Sequence, residues 1–418
     1  MKKSFVFILL LTGTLTWSQT TITLEECYAL AEEHYPLRKQ TALLNTKTSL
    51  EKEALHAKRL PQMELDAQAT YQSDVTEIPF PGSGVEPLNK DQYRATLTIN
   101  QLIYDGGQVA AASNLKEAEL KTQQKQLEVS LYQLKLQINQ IYFSILLNQE
   151  QQAVLNLQKN DLESRLSEIK SGIKHGVVLP ASDKVIEAEL LKVHQKLLEQ
   201  SNHKRALLSN LSELIGQPLP ESAQLKEPLQ TVSLDKPLQR PELELFQLQK
   251  QQIEQSEQVL SKKNYPKLQA FATGGYGNPG LNMLENSFEA YYITGLRLNW
   301  KLFDWNANKK ERKALSVNKE IIDSELEVFS LQTQIQLQQL EAEINSITDY
   351  LVTDSEIIQL RKEIAKVAQS QLKNGVITAS AYLTELTALY EAEISLKLHS
   401  IQLQLAKANY NIIQGHQL

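Results

Sequence analysis

The chain has 418 residues, with 43 Lys and Arg against 49 Asp and Glu, a formal charge of -6. That balance excludes a nucleic-acid binder, whose affinity rests on clustered positive charge. Hydrophobic residues make up 42%, and the abundance of Gln, Leu, Glu and Lys suits long helices better than a compact α/β core.

Residues 1–18 read as a secretory signal peptide. Lys2 and Lys3 form a positive start, Phe5 to Leu15 a short apolar run, and Thr16-Trp17-Ser18 offers small residues at the cleavage positions. The apolar run is too short to span a bilayer as a helix, and no later stretch is long enough. An exported chain without a transmembrane helix is expected. Cys27 is the only cysteine, so no intrachain disulfide can form. The preceding Leu24-Glu25-Glu26 lacks the small residues of a lipoprotein signal, which makes Cys27 a buried helix cysteine.

The remainder is one unit written twice. Asn100-Gln101-Leu102-Ile103-Tyr104-Asp105 recurs 199 positions later as Asn299-Trp300-Lys301-Leu302-Phe303-Asp304, and Lys174-His175-Gly176-Val177-Val178 recurs as Lys373-Asn374-Gly375-Val376-Ile377 at the same offset. Pro36 and Pro61 match Pro241 and Pro266 at an offset of 205, so the first copy carries six extra residues in the loop around Pro79-Phe80-Pro81-Gly82-Ser83-Gly84. This divides the chain into a first repeat at 19–215, a linker at 216–240 and a second repeat at 241–418.

In each repeat a hairpin comes first, at 62–104 and 267–303. Met63, Leu65, Ala67, Ala69 and Tyr71 alternate with polar residues, as do Tyr93, Ala95, Leu97 and Ile99. The second copy repeats the pattern at Leu268, Ala270, Ala272 and Tyr276, and at Tyr292, Leu296, Leu298, Trp300 and Leu302. A period of two over about 10 residues, apolar on one face and polar on the other, fits strands that cross a bilayer around water. Tyr71, Tyr93, Tyr276, Tyr291 and Tyr292 gather toward the loops, and Tyr104, Trp300, Phe303 and Trp305 toward the helices, where membrane aromatic girdles belong. Four strands cannot close a barrel, and an open edge cannot face lipid. Two copies would give eight strands with a filled interior, and three would give twelve with a lumen, so a homotrimer is expected.

A long helix follows each hairpin. From Leu127 to Ile173 the first keeps a 3-4 heptad stripe through Leu134, Ile138, Ile145, Leu155, Leu162 and Ile169, interrupted by Asn148, Gln152 and Lys159. From about Gly107 to Lys174 it would be roughly 100 Å long. Gly176 and Gly375 end the long helices, and return helices are expected at 181–215 and 380–413. The stripe alone favours a structural coiled coil, such as a periplasmic interaction or scaffold protein without a barrel. The two hairpins reverse that preference.

Catalytic patterns are missing. The seven histidines are scattered, so neither a metal site nor a cofactor is expected. Gly274-Gly275-Tyr276-Gly277 lacks the Lys-Ser/Thr of a phosphate loop and reads as a strand end entering a loop. Gly82-Ser83-Gly84 is not a nucleophile elbow.

Along nearly the whole mature length the chain resembles TolC-type outer-membrane efflux proteins. The resemblance rests on the opening Leu24-Glu25-Glu26-Cys27-Tyr28-Ala29-Leu30-Ala31, the strand entries Leu60-Pro61 and Tyr265-Pro266, the corners Ile103-Tyr104-Asp105-Gly106-Gly107 and Leu302-Phe303-Asp304-Trp305, and the tips at Gly176 and Gly375. It implies a mainly helical fold, in which a periplasmic α-barrel continues a shared twelve-stranded outer-membrane β-barrel. It also implies a passive exit duct serving a periplasmic membrane-fusion adaptor and an inner-membrane pump of the RND or ABC type. The tips would close the duct at rest and open on adaptor binding. Val177, Val178, Leu179, Val376 and Ile377 could meet the adaptor or pack the resting tip, and both roles stay open. The family often carries an aspartate ring inside the second tip. The matching positions here are Ala381 and Thr384, leaving Asp183 and Glu385 as candidate gate carboxylates.

Overall fold

The computed structural model describes residues 21–76, 86–232 and 236–416. The expected signal peptide at 1–18 and the Pro/Gly-rich stretch around Gly82 lie outside the described residues. Two compact units emerge, and neither coincides with a sequence repeat. One comprises residues up to Arg38, Leu131–Arg240 and Gln332 onward, the other Lys39–Ser130 and Pro241–Leu331. Each draws on both copies, because the long helices pass from one unit into the other.

The first unit opens with strand β1 (Thr21–Ile22) and helix α1 (Leu24–His34). Thr23 caps α1 reciprocally with Glu26, its hydroxyl accepting from the Glu26 N–H at 3.2 Å while Glu26 Oε2 accepts from the Thr23 N–H at 2.8 Å. A 3-10 turn at Pro36–Arg38 follows, leading into helix α2 (Lys39–Ala57) of the other unit. Helix α3 (Gln108–Lys174) turns into α4 (Ser182–Ile215), within two residues of the expected bounds. The expected linker contains a short strand, β4 (Gln224–Leu225), paired in parallel with β1. Tyr142, fully buried on α3, donates its hydroxyl to the carbonyls of Ile22 (3.0 Å) and Lys226 (2.6 Å), which ties this small sheet to the helix. Linker residues 216–240 are thus partly structured. The heptad stripe could not show this, because two-residue strands carry no period.

The heptad residues do form the seam. Leu134, Ile138, Ile145, Leu155, Leu162 and Ile169 are buried, and each such side chain is worth about 1.5–3 kcal/mol. Asn148 interrupts the seam without a loss of pairing, since its amide donates to the carbonyl (3.0 Å) and side-chain oxygen (2.6 Å) of Gln200 on α4. Cys27 sits fully buried among Leu24, Tyr142 and Leu211, and burial pushes its thiol up to about 12. The second copy supplies α6 (Ala307–Lys373) and α7 (Ala379–Gln414), with Ile347, Ile358, Ala365, Ala368 and Leu372 as its seam. At the heptad position between Leu351 and Ile358 stands Asp354, matched by His399 on α7, whose Nδ1 lies 2.6 Å from Asp354 Oδ2.

The second unit holds β2 (Gln62–Tyr71), β3 (Asp91–Tyr104), β5 (Lys267–Asn278), β6 (Glu289–Asn299), α2 and α5 (Pro241–Lys262). The four strands make one antiparallel sheet in the order β2-β3-β5-β6, so the two hairpins join through β3 and β5. One expectation is corrected: the second hairpin ends at Asn299 rather than 303, and Trp300 to Phe303 run on outside the sheet. Gly274 to Gly277 form the end of β5, which closes at Asn278 before the loop, as expected. On that stretch Gly275 is covered by the ring of its cross-strand partner Tyr291, a contact for which a strand glycine leaves room.

Candidate functional site

Directly opposed residues of an antiparallel sheet share a face, so the register assigns every strand residue. One face carries Met63, Leu65, Ala67, Ala69 and Tyr71, then Tyr93, Ala95, Leu97 and Ile99, then Ala270, Ala272 and Tyr276, then Tyr292, Leu296 and Leu298. These are the residues that the alternation singled out. The other face carries Glu64, Asp66, Arg94, Thr96, Thr98, Thr273 and Arg297, with Leu102, Phe271, Tyr291 and Ile293 among them. The apolar face is open, with Leu65 75%, Tyr292 78% and Leu296 68% exposed, far more contiguous apolar surface than a soluble domain leaves uncovered.

Tyr104 reaches the apolar face by a device the sequence did not reveal. A bulge between Leu102 and Tyr104 inserts Ile103 and sets Tyr104 opposite Leu268, where strict alternation would have turned it to the polar side. Tyr71 and Tyr93 stand near the loop end. Phe288, which the alternation did not single out, lies between Tyr93 and Tyr276, with ring centroids 6.2 and 5.6 Å away. Tyr292 does not belong to that row. It is level with Leu65, Leu97 and Gly274, in the middle of the sheet. Trp300 and Phe303 are exposed beyond the end of β6, and Phe303 meets Trp305 edge-on at 4.8 Å. No helix among the described residues is long and apolar enough to cross a membrane.

The helix turns belong to the first unit. Both end in the same way. Gly176 and Gly375 adopt φ of +73° and +71°, and the N–H groups of Gly176 and Val177 bond back to Ile173 and Gly172, as those of Gly375 and Val376 bond to Leu372 and Gln371. This double return to the last helical turn needs a left-handed residue, which is why glycine recurs at a spacing of 199. The apolar turn residues divide into two groups. Val177, Leu179 and Val376 are 55, 62 and 68% exposed. Val178 and Ile377 pack inward against the cluster of Leu162, Ile169, Leu372 and Tyr382, and Val178 rests on Gly172. A cleft of about 590 Å³ opens beside them, between Arg165, Glu168, Gly172, Val178 and Tyr382.

Each candidate gate carboxylate has a cation of its own chain beside it. Glu385 pairs with Arg361 at 3.2 Å, and Asp183, in the first turn of α4, with Lys184 at 3.7 Å. Ala381 and Thr384 are exposed. A denser polar cluster was not anticipated. Arg165 pairs with Asp161 (3.3 Å) and Glu168 (3.2 Å) on its own helix, and the Tyr390 hydroxyl on α7 donates to Asp161 at 3.1 Å. Burial and then the Asp161 carboxylate push the Tyr390 hydroxyl well above its ordinary value. The Asp161 and Arg165 spacing of four is legible in sequence, but the arrival of Tyr390 depends on how α3 and α7 pack.

Comparison with known proteins agrees with this geometry. Residues 37–217 match the family model described as "Outer membrane efflux protein". No curated protein sequence matches. Among solved structures, CusC is similar over 94% of this chain and 92% of its own at 12% identity and a TM-score of 0.71. VceC of Vibrio cholerae is similar over 94% and 96% at 16% identity and 0.67. The CmeC outer membrane channel of Campylobacter jejuni is similar over 100% and 94% at 15% identity and 0.65. The family model thus matches most of the first repeat, and the fold of these solved structures is shared along nearly the whole length of the chain.

Proposed function

We propose that the chain is one third of an outer-membrane exit duct, which passively conducts substrates delivered by an inner-membrane RND or ABC pump through a periplasmic adaptor. The observation that carries this is the sheet. It has four membrane-length strands, one apolar and one mainly polar face, and two edges, β2 and β6, left unpaired among the described residues. Such edges are untenable in lipid unless copies of the chain close a common barrel, and three copies supply twelve strands around a lumen. A second support lies on α6, where Ile357, Leu360, Ile364 and Val367 form an exposed 3-4 stripe suited to a neighbouring helix.

The duct needs no chemistry of its own. The polar sheet face lines the barrel, and the exposed Val177, Leu179 and Val376 offer the adaptor an apolar contact. Val178 and Ile377 support the turns from behind. The test is fractionation and native mass after mild detergent extraction. Recovery from the outer membrane at three protomer masses is the expected result. A soluble monomer or dimer would replace the channel with a periplasmic coiled-coil scaffold.

A further inference from the structure

The two open edges of the sheet also define how one copy meets the next, an inference that rests on the trimeric reading above. The Gln72 N–H bonds to the Lys90 carbonyl at 2.8 Å, so even-numbered residues of β2 turn their backbone groups toward β3. Odd-numbered β2 residues therefore turn theirs outward. Carried across the sheet by the strand register, the same alternation leaves the even-numbered residues of β6 pointing outward. A β2–β6 seam between copies must then oppose odd residues of β2 with even residues of β6. That parity also keeps the apolar faces continuous.

Strand length selects one register. β2 has 10 residues and β6 has 11. Only one register of the required parity gives every β2 residue a partner within β6. It runs from Gln62 opposite Asn299 to Tyr71 opposite Ala290. In it Met63 meets Leu298, Leu65 meets Leu296 and Ala69 meets Tyr292 on the apolar face. On the polar face Glu64 falls opposite Arg297. Within the chain neither has an ion-pair partner among the described residues, and Arg297 rests on the Phe271 ring at 5.0 Å. The pair is of the non-hydrogen-bonded kind, in which side chains approach most closely.

Barrel closure is consistent with this register. A perpendicular row runs Gln62, Asn100, Phe271, Gly295 and would continue into Asp66 of the next copy. The row advances one residue per strand on average, a strand tilt of roughly 35° at ordinary strand spacings, within the range of membrane barrels.

We propose that each barrel seam is β2 against β6 of the neighbouring copy in this flush register, keyed by a Glu64–Arg297 ion pair facing the lumen. The test is oxidative cross-linking of the full-length chain in outer membranes. Gln68→Cys with Ile293→Cys should give a covalent trimer, at least fivefold more than Asp66→Cys or Thr70→Cys with Ile293→Cys, which report the two-residue shifts. Glu64→Arg should lower the fraction of detergent-resistant trimer severalfold, and adding Arg297→Glu should restore it. Preferential cross-linking of a shifted pair in a protein of trimeric native mass would overturn the register alone. A native mass that is not trimeric would overturn the channel reading and the seam with it.

Discussion

Trp305 adopts the left-handed conformation that Gly106 holds 199 positions earlier, with φ of +53° against +67°. Asn306 likewise repeats Gly107, at +60° against +83°. Both corners turn a strand segment into a long helix through two successive left-handed residues. The first copy uses the residues made for this, whereas the second places a tryptophan there, 81% exposed. A left-handed non-glycine residue costs roughly 1–2 kcal/mol, so the indole is retained against a backbone penalty.

Replacing Trp305 separates ring from backbone. Trp305→Gly should be more stable than Trp305→Ala by about 1 kcal/mol, because both lose the ring and only glycine relieves the backbone. Thermal unfolding in detergent measures this. Gly106→Ala should destabilise by about 1–3 kcal/mol, since its new Cβ would stand 2.5 Å from the Tyr265 Cβ. Equal midpoints for the two Trp305 variants would remove the strain argument.

The turn residues should behave as two groups. Val178→Glu places a charge on a half-buried side chain that packs against Gly172 and the inner cluster and should cost about 1–3 kcal/mol, lowering the amount of folded protein. Val177→Glu, Leu179→Glu and Val376→Glu should leave trimer yield unchanged and abolish adaptor capture in pull-down. Intact capture by all three would exclude the exposed turn as the docking contact.

Asp183→Asn and Glu385→Gln should change the cation-to-anion permeability ratio by less than about twofold in single-channel recordings, because each half-buried carboxylate has a cation of its own chain beside it, and such pairs carry little net field. A larger change in either variant would make that residue a selectivity gate.

The corners should also be acid-sensitive. Burial raises the Asp105 pKa, but the N–H groups of Val109 and Gly107 and then Arg59 outweigh it and hold the carboxyl below its usual range. Asp304 is held low chiefly by Asn264, and then by the Asn308 N–H. Depressed folded-state values mean stability that is present above about pH 4 and lost as pH falls through them. The melting midpoint should drop below about pH 4, and less steeply in the Asp105→Asn/Asp304→Asn chain. Parallel curves would place the acid sensitivity elsewhere.

Periodicity made much of this protein legible in advance. A period of two and a stripe at 3-4 spacing depend only on which side of a strand or helix faces water. Met63 to Tyr71, Leu296, Leu298 and the seam from Leu134 to Ile169 therefore fell where their spacing put them. Glycine at 176 and 375 was equally readable, because a helix that ends in a Schellman turn needs a left-handed residue. What the tertiary structure alone decided are relations between distant segments. These include the joining of the hairpins through β3 and β5, the bulge that turns Tyr104, the inward packing of Val178 and Ile377 and the pairing of β1 with β4. They also include the meeting of Tyr390 with Asp161. Each depends on partners far apart in the chain, and side-chain pattern along one segment carries no information about which other segment will cover it.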